Sequence, residues 1–239
     1  MALPYANRHI EPNRESATLF AAHHFVTCYQ KAVDHHGFFT VALSGGSTPS
    51  AVYQMLSKPP FSDLIMWDKV HLFWSDERAT SPSSSESNYH MAMESGFKDM
   101  PIPPSQIHRM VAEEDLELNA KRYEELLHLT LFKGAFDLIL LGMGDDGHTA
   151  SLFPLTKGIL CTDRQVIANY IPQKNCWRMT LTFPCINQAE NTVFYVLGAS
   201  KAFMVEQVFH SSNVFPCQQV GSRLHPALWI MDQAAAAAL

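Results

Sequence analysis

A histidine and two carboxylates meet in the sequence at Asp145-Asp146-Gly147-His148. An imidazole that titrates near neutrality can take a proton from water and return it to a leaving group, and a neighbouring carboxylate can hold the ring in one orientation. The same residues also read as an ordinary turn, with an Asp as cap and the His on the surface. The run before them says where they sit: Phe136, Leu138, Ile139, Leu140 and Leu141 lead into Gly142, Gly144 and Gly147. A short apolar run bounded by glycine fits a strand covered on both faces, and ligands of open α/β sheets gather beyond the carboxyl ends of such strands. Residues 149–153 are expected to open a helix.

Further segments place polar groups at strand ends. Residues 38–43 lead into Ser44-Gly45-Gly46-Ser47-Thr48-Pro49, where glycines admit close backbone approach, hydroxyls can donate, and Pro49 suits the first turn of a helix through residue 56. This is a phosphate cradle or simply a turn; it lacks the lysine of GxxxxGK[ST] and does not match GxGxxG. A strand over 70–74 ends in Ser75-Asp76-Glu77-Arg78, which is either a solvated charge cluster or an Arg78 fork offered to an oxyanion with the acids holding it. Residues 177–183 alternate in the strand period, with Arg178 and Thr180 on one face and Met179 and Leu181 on the other. A buried strand type over 192–197 runs into Gly198-Ala199-Ser200-Lys201, making Lys201 another anion partner or a surface lysine. Ser44, Ser47 and Ser151 offer hydroxyl nucleophiles, but none lies in a GxSxG elbow, which favours direct attack by water.

The elements that must position these groups follow from periodicity. Apolar residues at three- and four-residue spacing predict helices over 14–36, stopped by Gly37, and over 113–132, ended by Gly134. Ser87 caps a helix running toward Met93, after a flexible serine-rich loop at 80–86. Short strands are expected over 165–171 and 228–231, with Asp232 capping an alanine-rich C-terminal helix. Strands alternating with helices predict an α/β fold, a single domain over 1–239 with a mainly parallel sheet flanked by helices. Convergence of the five strand ends would make one site.

The 239 residues are 47% apolar and 17% charged, ordinary for a globular chain able to bury a sizeable core. A net charge of −6 argues against nucleic acid or an anionic membrane as the main partner and leaves room for a small anion held by locally gathered cations. Five scattered cysteines without a CxxC pair suit reduced thiols better than a disulfide framework or a zinc site. The first dozen residues hold no apolar core of signal-peptide length and no run approaches a membrane span, so a cytoplasmic protein is expected. His23, His24, His35 and His36 match no HExxH pattern and point in different directions on their helix, so no metal is expected there.

Taken in order, ALSGGSTP (42–49), WSDER (74–78), SNY (87–89), LLGMGDDGHTASLFP (140–154), WRMTLTFPCIN (177–187), GASK (198–201) and LWIMDQAA (228–235) resemble the 6-phosphogluconolactonase family over nearly the whole chain. The resemblance implies a fold related to glucosamine-6-phosphate deaminase and ribose-5-phosphate isomerase. It also implies hydrolysis of 6-phospho-D-glucono-1,5-lactone to 6-phosphogluconate in the oxidative pentose phosphate pathway, with a phosphorylated sugar lactone as partner and no cofactor. Matching the motifs puts the catalytic histidine at His148 with Asp146 as orienting acid, and the phosphate contacts at Gly45, Gly46, Ser47 and Thr48. Arg78, Arg178 and Lys201 become the cationic contacts. Family members commonly carry a histidine shortly before the SN pair; this chain has Ser83, Ser84 and Ser85 there. Two alternatives stay open: a deaminase or sugar-phosphate isomerase on the same fold, and a noncatalytic sugar-phosphate sensor. Deaminases usually follow the Gly-His turn with a phenylalanine, asparagine, glutamate and proline run, whereas residues 149–154 are TASLFP. Oligomeric state is not specified by the sequence.

Overall fold

Apolar runs become strands here and the three- and four-spaced runs become helices. A computed structural model describes residue 3 and residues 5–211 and 214–239. The strands are β1 (Ala6–Glu11), β2 (Phe39–Leu43), β3 (Val70–Trp74), β4 (Asp76–Arg78), β5 (Leu138–Leu141), β6 (Val166–Ile171), β7 (Cys176–Leu181), β8 (Thr192–Val196) and β9 (Ala227–Asp232). The α-helices are α1 (Arg14–His36), α2 (Ser47–Leu56), α3 (Asn88–Glu94), α4 (Leu116–Thr130), α5 (Phe183–Ile186) and α6 (Ala202–His210). Among the described residues no helix is long and apolar enough to cross a membrane.

Six strands form a parallel sheet in the order β1-β9-β8-β5-β2-β3. Every residue of β2, β5 and β8 is buried, which is why these segments read as continuous apolar runs rather than alternations. From β2 the chain steps outward to β3, then returns to β5 on the other side of β2 and continues toward β8. Adjacent parallel strands whose connections leave in opposite directions open a crevice at their carboxyl ends. Ser44 and Gly45 follow one such end, and Gly142 to Gly144 follow the other.

A second, antiparallel sheet has the order β4-β7-β6. Ser75 joins the two sheets: its N–H donates to the Leu43 carbonyl at 2.7 Å, and its carbonyl accepts from Leu181 N–H at 2.9 Å. This single residue turns the chain out of β3 and sets β4 against β7, with Asp76 opposite Thr180 and Arg78 opposite Arg178. The small sheet therefore stands over the crevice as its outer wall.

Several expectations are corrected. Residues 149–153 form no helix: Thr149 and Leu152 make an antiparallel bridge, Ala150 adopts φ +46°, and Pro154 follows. The backbone groups there are used outside a helix, since the His148 carbonyl accepts from Gly144 N–H and the Ser151 carbonyl from Asn169 Nδ2. The C-terminal alanines form turns rather than a helix, although Asp232 does accept from Ala235 N–H at 2.8 Å. So short a segment does not recover the cost of helix nucleation. The alternating run stops at Leu181, because Thr182 caps the turn of α5 that begins at Phe183. The serine-rich loop is closed by its own turns, with Ser84 N–H donating to the Ser81 carbonyl and Ser87 N–H to the Ser84 carbonyl. Neither β1 nor β4 was expected as a strand.

At the opposite end of the sheet a buried acid locks three elements together. Asp137, just before β5, accepts from the Thr40 N–H and hydroxyl at 2.8 Å each and pairs with His36 Nε2 at 2.8 Å. These contacts tie the end of α1 and the start of β2 to β5. Asp137→Ala leaves the Thr40 donors buried without an acceptor, each costing about 1–3 kcal/mol. The expected loss in urea unfolding is about 3 kcal/mol, and a loss below about 1 kcal/mol would contradict this role.

Candidate active site

The crevice is a small, solvent-open cleft with a cavity volume of about 150 Å³. Ser44 and Gly45 after β2, and Gly142, Met143 and Gly144 after β5, form its floor. Asp76 and Arg78 of β4, Arg178 of β7 and Asn88 at the start of α3 form the outer wall. His148 and Ala150 close one side.

The turn that carries His148 is built around a close approach. Gly144 N–H donates to the His148 carbonyl at 2.9 Å, and Gly147 N–H to the Gly144 carbonyl at 3.1 Å. A Cβ on Gly144 would lie 2.0 Å from His148 Nδ1, so only glycine allows the ring this position. The ring stacks on Phe153, with centroids 3.7 Å apart and planes 15° from parallel. Asp146 accepts from the His148 backbone N–H at 3.1 Å and lies 2.5 Å from Nδ1. The carboxylate assigns the proton to Nδ1, which leaves Nε2 with a free lone pair. Burial pushes the imidazole below its usual range; the Asp146 hydrogen bond and charge, and then the Asp76 charge, push it upward, while Arg178 lowers it further. The balance keeps the ring neutral, as a base requires.

Two guanidiniums face this imidazole across the cleft. Arg78 and Arg178 are register partners on adjacent antiparallel strands. Like charges placed opposite one another repel, which favours an anion between or beside them. Arg78 Nη1 donates to the Glu86 carbonyl at 2.5 Å. Arg178 Nη1 lies 3.8 Å from Asp76 Oδ2, and its guanidinium sits 5.9 Å from the Phe153 ring centre. The Nε atoms of both arginines are buried without a hydrogen-bond partner.

The acids of the SDER segment do not hold the Arg78 side chain, contrary to the sequence expectation. Glu77 instead accepts from the backbone N–H groups of Arg78, Asn88 and Tyr89 at 2.8 Å each and from the Ser87 hydroxyl at 2.9 Å. It therefore anchors the start of α3 to β4. Burial raises its pKa, and these hydrogen bonds oppose the rise. Asp76 points the other way, toward Ser151, Asn88 and Arg178.

Of the residues given a catalytic or substrate-binding role by the resemblance, His148, Gly45, Arg78 and Arg178 line the cleft together, and Ser44, one of the candidate hydroxyls, lies among them. Asp146 stands behind the imidazole. Gly46 and Ser47 are exposed and Thr48 is half-buried at the start of α2, beside the cleft rather than in its wall. Lys201 is turned to the outside of the histidine turn, 2.6 Å from the largely exposed Asp145. The Ser151 hydroxyl donates to Asp76 at 2.5 Å, and the residue is fully buried and not among those lining the cleft. Asn88 and Asp76 are wall residues whose roles the sequence did not reveal; the SNY triplet was the available signal for Asn88. Among the described residues no group of three or more His, Cys, Asp or Glu side chains could hold a metal ion.

Comparison with known proteins agrees with this architecture. Residues 12–229 match the profile of the family described as glucosamine-6-phosphate isomerases/6-phosphogluconolactonase. A 6-phosphogluconolactonase of Chlamydia pneumoniae is 39% identical over 218 residues, covering 89% of this chain and 82% of the relative. The 6-phosphogluconolactonase of Trypanosoma cruzi superimposes with a TM-score of 0.88 at 23% identity, covering 100% of this chain and 98% of that one. A monomeric glucosamine-6-phosphate deaminase shares the fold with a TM-score of 0.80 at 20% identity, over 98% of this chain and 99% of its own. A profile match over most of the chain and a relative of this identity lead to one conclusion: the chain belongs to the glucosamine-6-phosphate isomerase/6-phosphogluconolactonase family.

Proposed function

We propose that this protein is a 6-phosphogluconolactonase, hydrolysing 6-phospho-D-glucono-1,5-lactone to 6-phospho-D-gluconate. The observation that carries the reading is the pairing of one neutral, carboxylate-held imidazole with two arginines across a single cleft. Its relatives carry the same name. The chain 1–239 acts as one domain in the cytoplasm, in the oxidative pentose phosphate pathway. Its partner is a small phosphorylated lactone rather than nucleic acid or membrane, and water attack needs no cofactor.

His148 Nε2 takes a proton from water as the water oxygen bonds to the lactone carbonyl carbon. Negative charge then builds on the carbonyl oxygen, and preorganised donors aimed at that charge supply the largest share of such catalysis. Arg178, 3.8 Å from Asp76 and 5.9 Å from the centre of the ring that supports His148, serves this oxyanion in the proposed reaction. When the tetrahedral intermediate collapses, the bond to the ring oxygen breaks and Nε2 returns its proton to that oxygen. Asp146 stabilises the imidazolium between the two transfers.

The phosphate goes to the other side of the cleft. Gly46 caps α2 without a side-chain bond, so the first-turn amides of Ser47 and Thr48 lack intrahelical acceptors, and Pro49 has no N–H to present. Those amides, the Gly45 backbone and the Arg78 fork together suit a dianion. Lys201 supports the outer edge through Asp145.

His148→Gln is expected to lower kcat by about 10²- to 10⁴-fold while circular dichroism stays unchanged. A wild-type rate in that variant would remove the histidine from the chemistry. Arg78→Ala should raise KM for the phosphorylated lactone on the order of tenfold or more and affect the unphosphorylated lactone less; equal losses on both would place Arg78 outside the phosphate site. Because burial depresses the imidazole pKa, His148 remains neutral as pH falls through 6.5. The acid limb of kcat/KM is therefore expected below pH 6.5, and a limb at or above that value would contradict the assignment.

A further inference from the structure

Asp76 and Glu77 are adjacent buried acids, 5% and 3% exposed, and their surroundings differ. Glu77 accepts four hydrogen bonds, three from backbone amides, which fills its lone pairs and gives it a structural task. Asp76 accepts two at its carboxylate: Ser151 Oγ on Oδ2 at 2.5 Å and Asn88 Nδ2 on Oδ1 at 3.2 Å. The carboxylate has lone-pair capacity to spare, lines the cleft, and stands 3.8 Å from Arg178 Nη1. Its partners come from three separate elements. Ser151 belongs to the His148 turn, Asn88 opens α3, and Arg178 lies on β7.

We propose that Asp76 is a positioning residue: it fixes the Arg178 guanidinium relative to the His148 turn, and it keeps a negative charge beside the imidazole while that ring carries the substrate proton. The inference rests on the hydrolytic reading above. The Ser151 tether is short and charge-assisted, so it holds the turn firmly against the small sheet. A second bond reinforces it, from Ser151 N–H to Thr180 Oγ1 at 3.1 Å on the same strand as Arg178. The turn that carries the base is thus hydrogen-bonded to the same carboxylate that forms an ion pair, at 3.8 Å, with the cation.

The charged groups around His148 are Asp145 and Asp146 on its own turn, Lys201 bonded to Asp145, Asp76 from β4 and Arg178 from β7; the stacked Phe153 is neutral. Removing the Asp76 charge leaves Arg178 less compensated. Imidazolium formation then becomes harder, so the imidazole pKa falls and the step that needs a protonated ring slows.

Asp76→Asn is nearly isosteric and retains an oxygen for the Ser151 hydroxyl. Nuclear magnetic resonance titration of the His148 ring, which needs no substrate, is expected to show a lower midpoint in this variant than in wild type. With the lactone, kcat/KM should fall on the order of tenfold, the equivalent of one pKa unit, and its acid limb should move to lower pH. Ser151→Ala keeps the charge and breaks the tether; it should raise KM without moving the limb. An unmoved His148 midpoint in Asp76→Asn overturns the proposal whatever the substrate is. Wild-type kinetics in Ser151→Ala overturn the tether even if Asp76→Asn fails to fold. A wild-type protein without lactonase activity overturns the hydrolytic reading instead, and the resonance titration still decides the role of Asp76.

Discussion

Two strand ends carry no side chain because another residue occupies that space. A Cβ on Gly144 would collide with the His148 ring, and one on Gly45 would fall 1.9 Å from Asn88 Oδ1. These two close approaches draw the histidine turn and the start of α3 onto the carboxyl ends of β5 and β2. Asn88 in turn bonds Asp76, and Asp76 bonds Ser151 on the histidine turn. The cleft is closed into a ring of contacts that begins and ends at glycine. Without that closure the same residues would stand on separate elements.

Charge is the second constraint. Two arginines opposite each other and an imidazole depressed by burial are unfavourable arrangements for an empty cleft. They are maintained because the surrounding fold over-determines them: Ser75 binds both sheets, Glu77 anchors α3, and Asp137 secures the far end of the sheet. A phosphorylated lactone would relieve the repulsion, so the groups least comfortable in the free protein are those assigned to substrate. Such local cost at a functional site is typical of binding machinery built on a stable scaffold.

The parts of this design legible in the sequence were the local ones. The run before Gly142 declared itself because every residue of β5 is buried and glycines bound it, and α1 because its apolar residues recur at three- and four-residue spacing and Gly37 ends it. His148 was visible through its neighbours Asp146 and Gly144. The contact between Ser151 and Asp76 was not, since it spans 75 residues, and neither residue type signals the other. Strand β1 was obscured by its polar residues, Asn7, Arg8 and His9, on an edge strand with little need for apolar alternation. The pairing of β4 with β7 depends on a single-residue handover at Ser75, which no periodicity records. The alanine-rich end illustrates the reverse: high helix propensity over too few residues yields turns.

The central question is whether this cleft opens a phosphorylated lactone with water. The direct measurement is the opening of freshly generated 6-phospho-D-glucono-1,5-lactone by the purified protein, with the spontaneous rate subtracted and solvent deuterium monitored in the sugar. The expected result is a saturable, protein-dependent rate of opening with no deuterium entering carbon. A rate equal to the spontaneous one, or carbon-bound exchange into glucosamine or ribose phosphate in place of lactone opening, would contradict it.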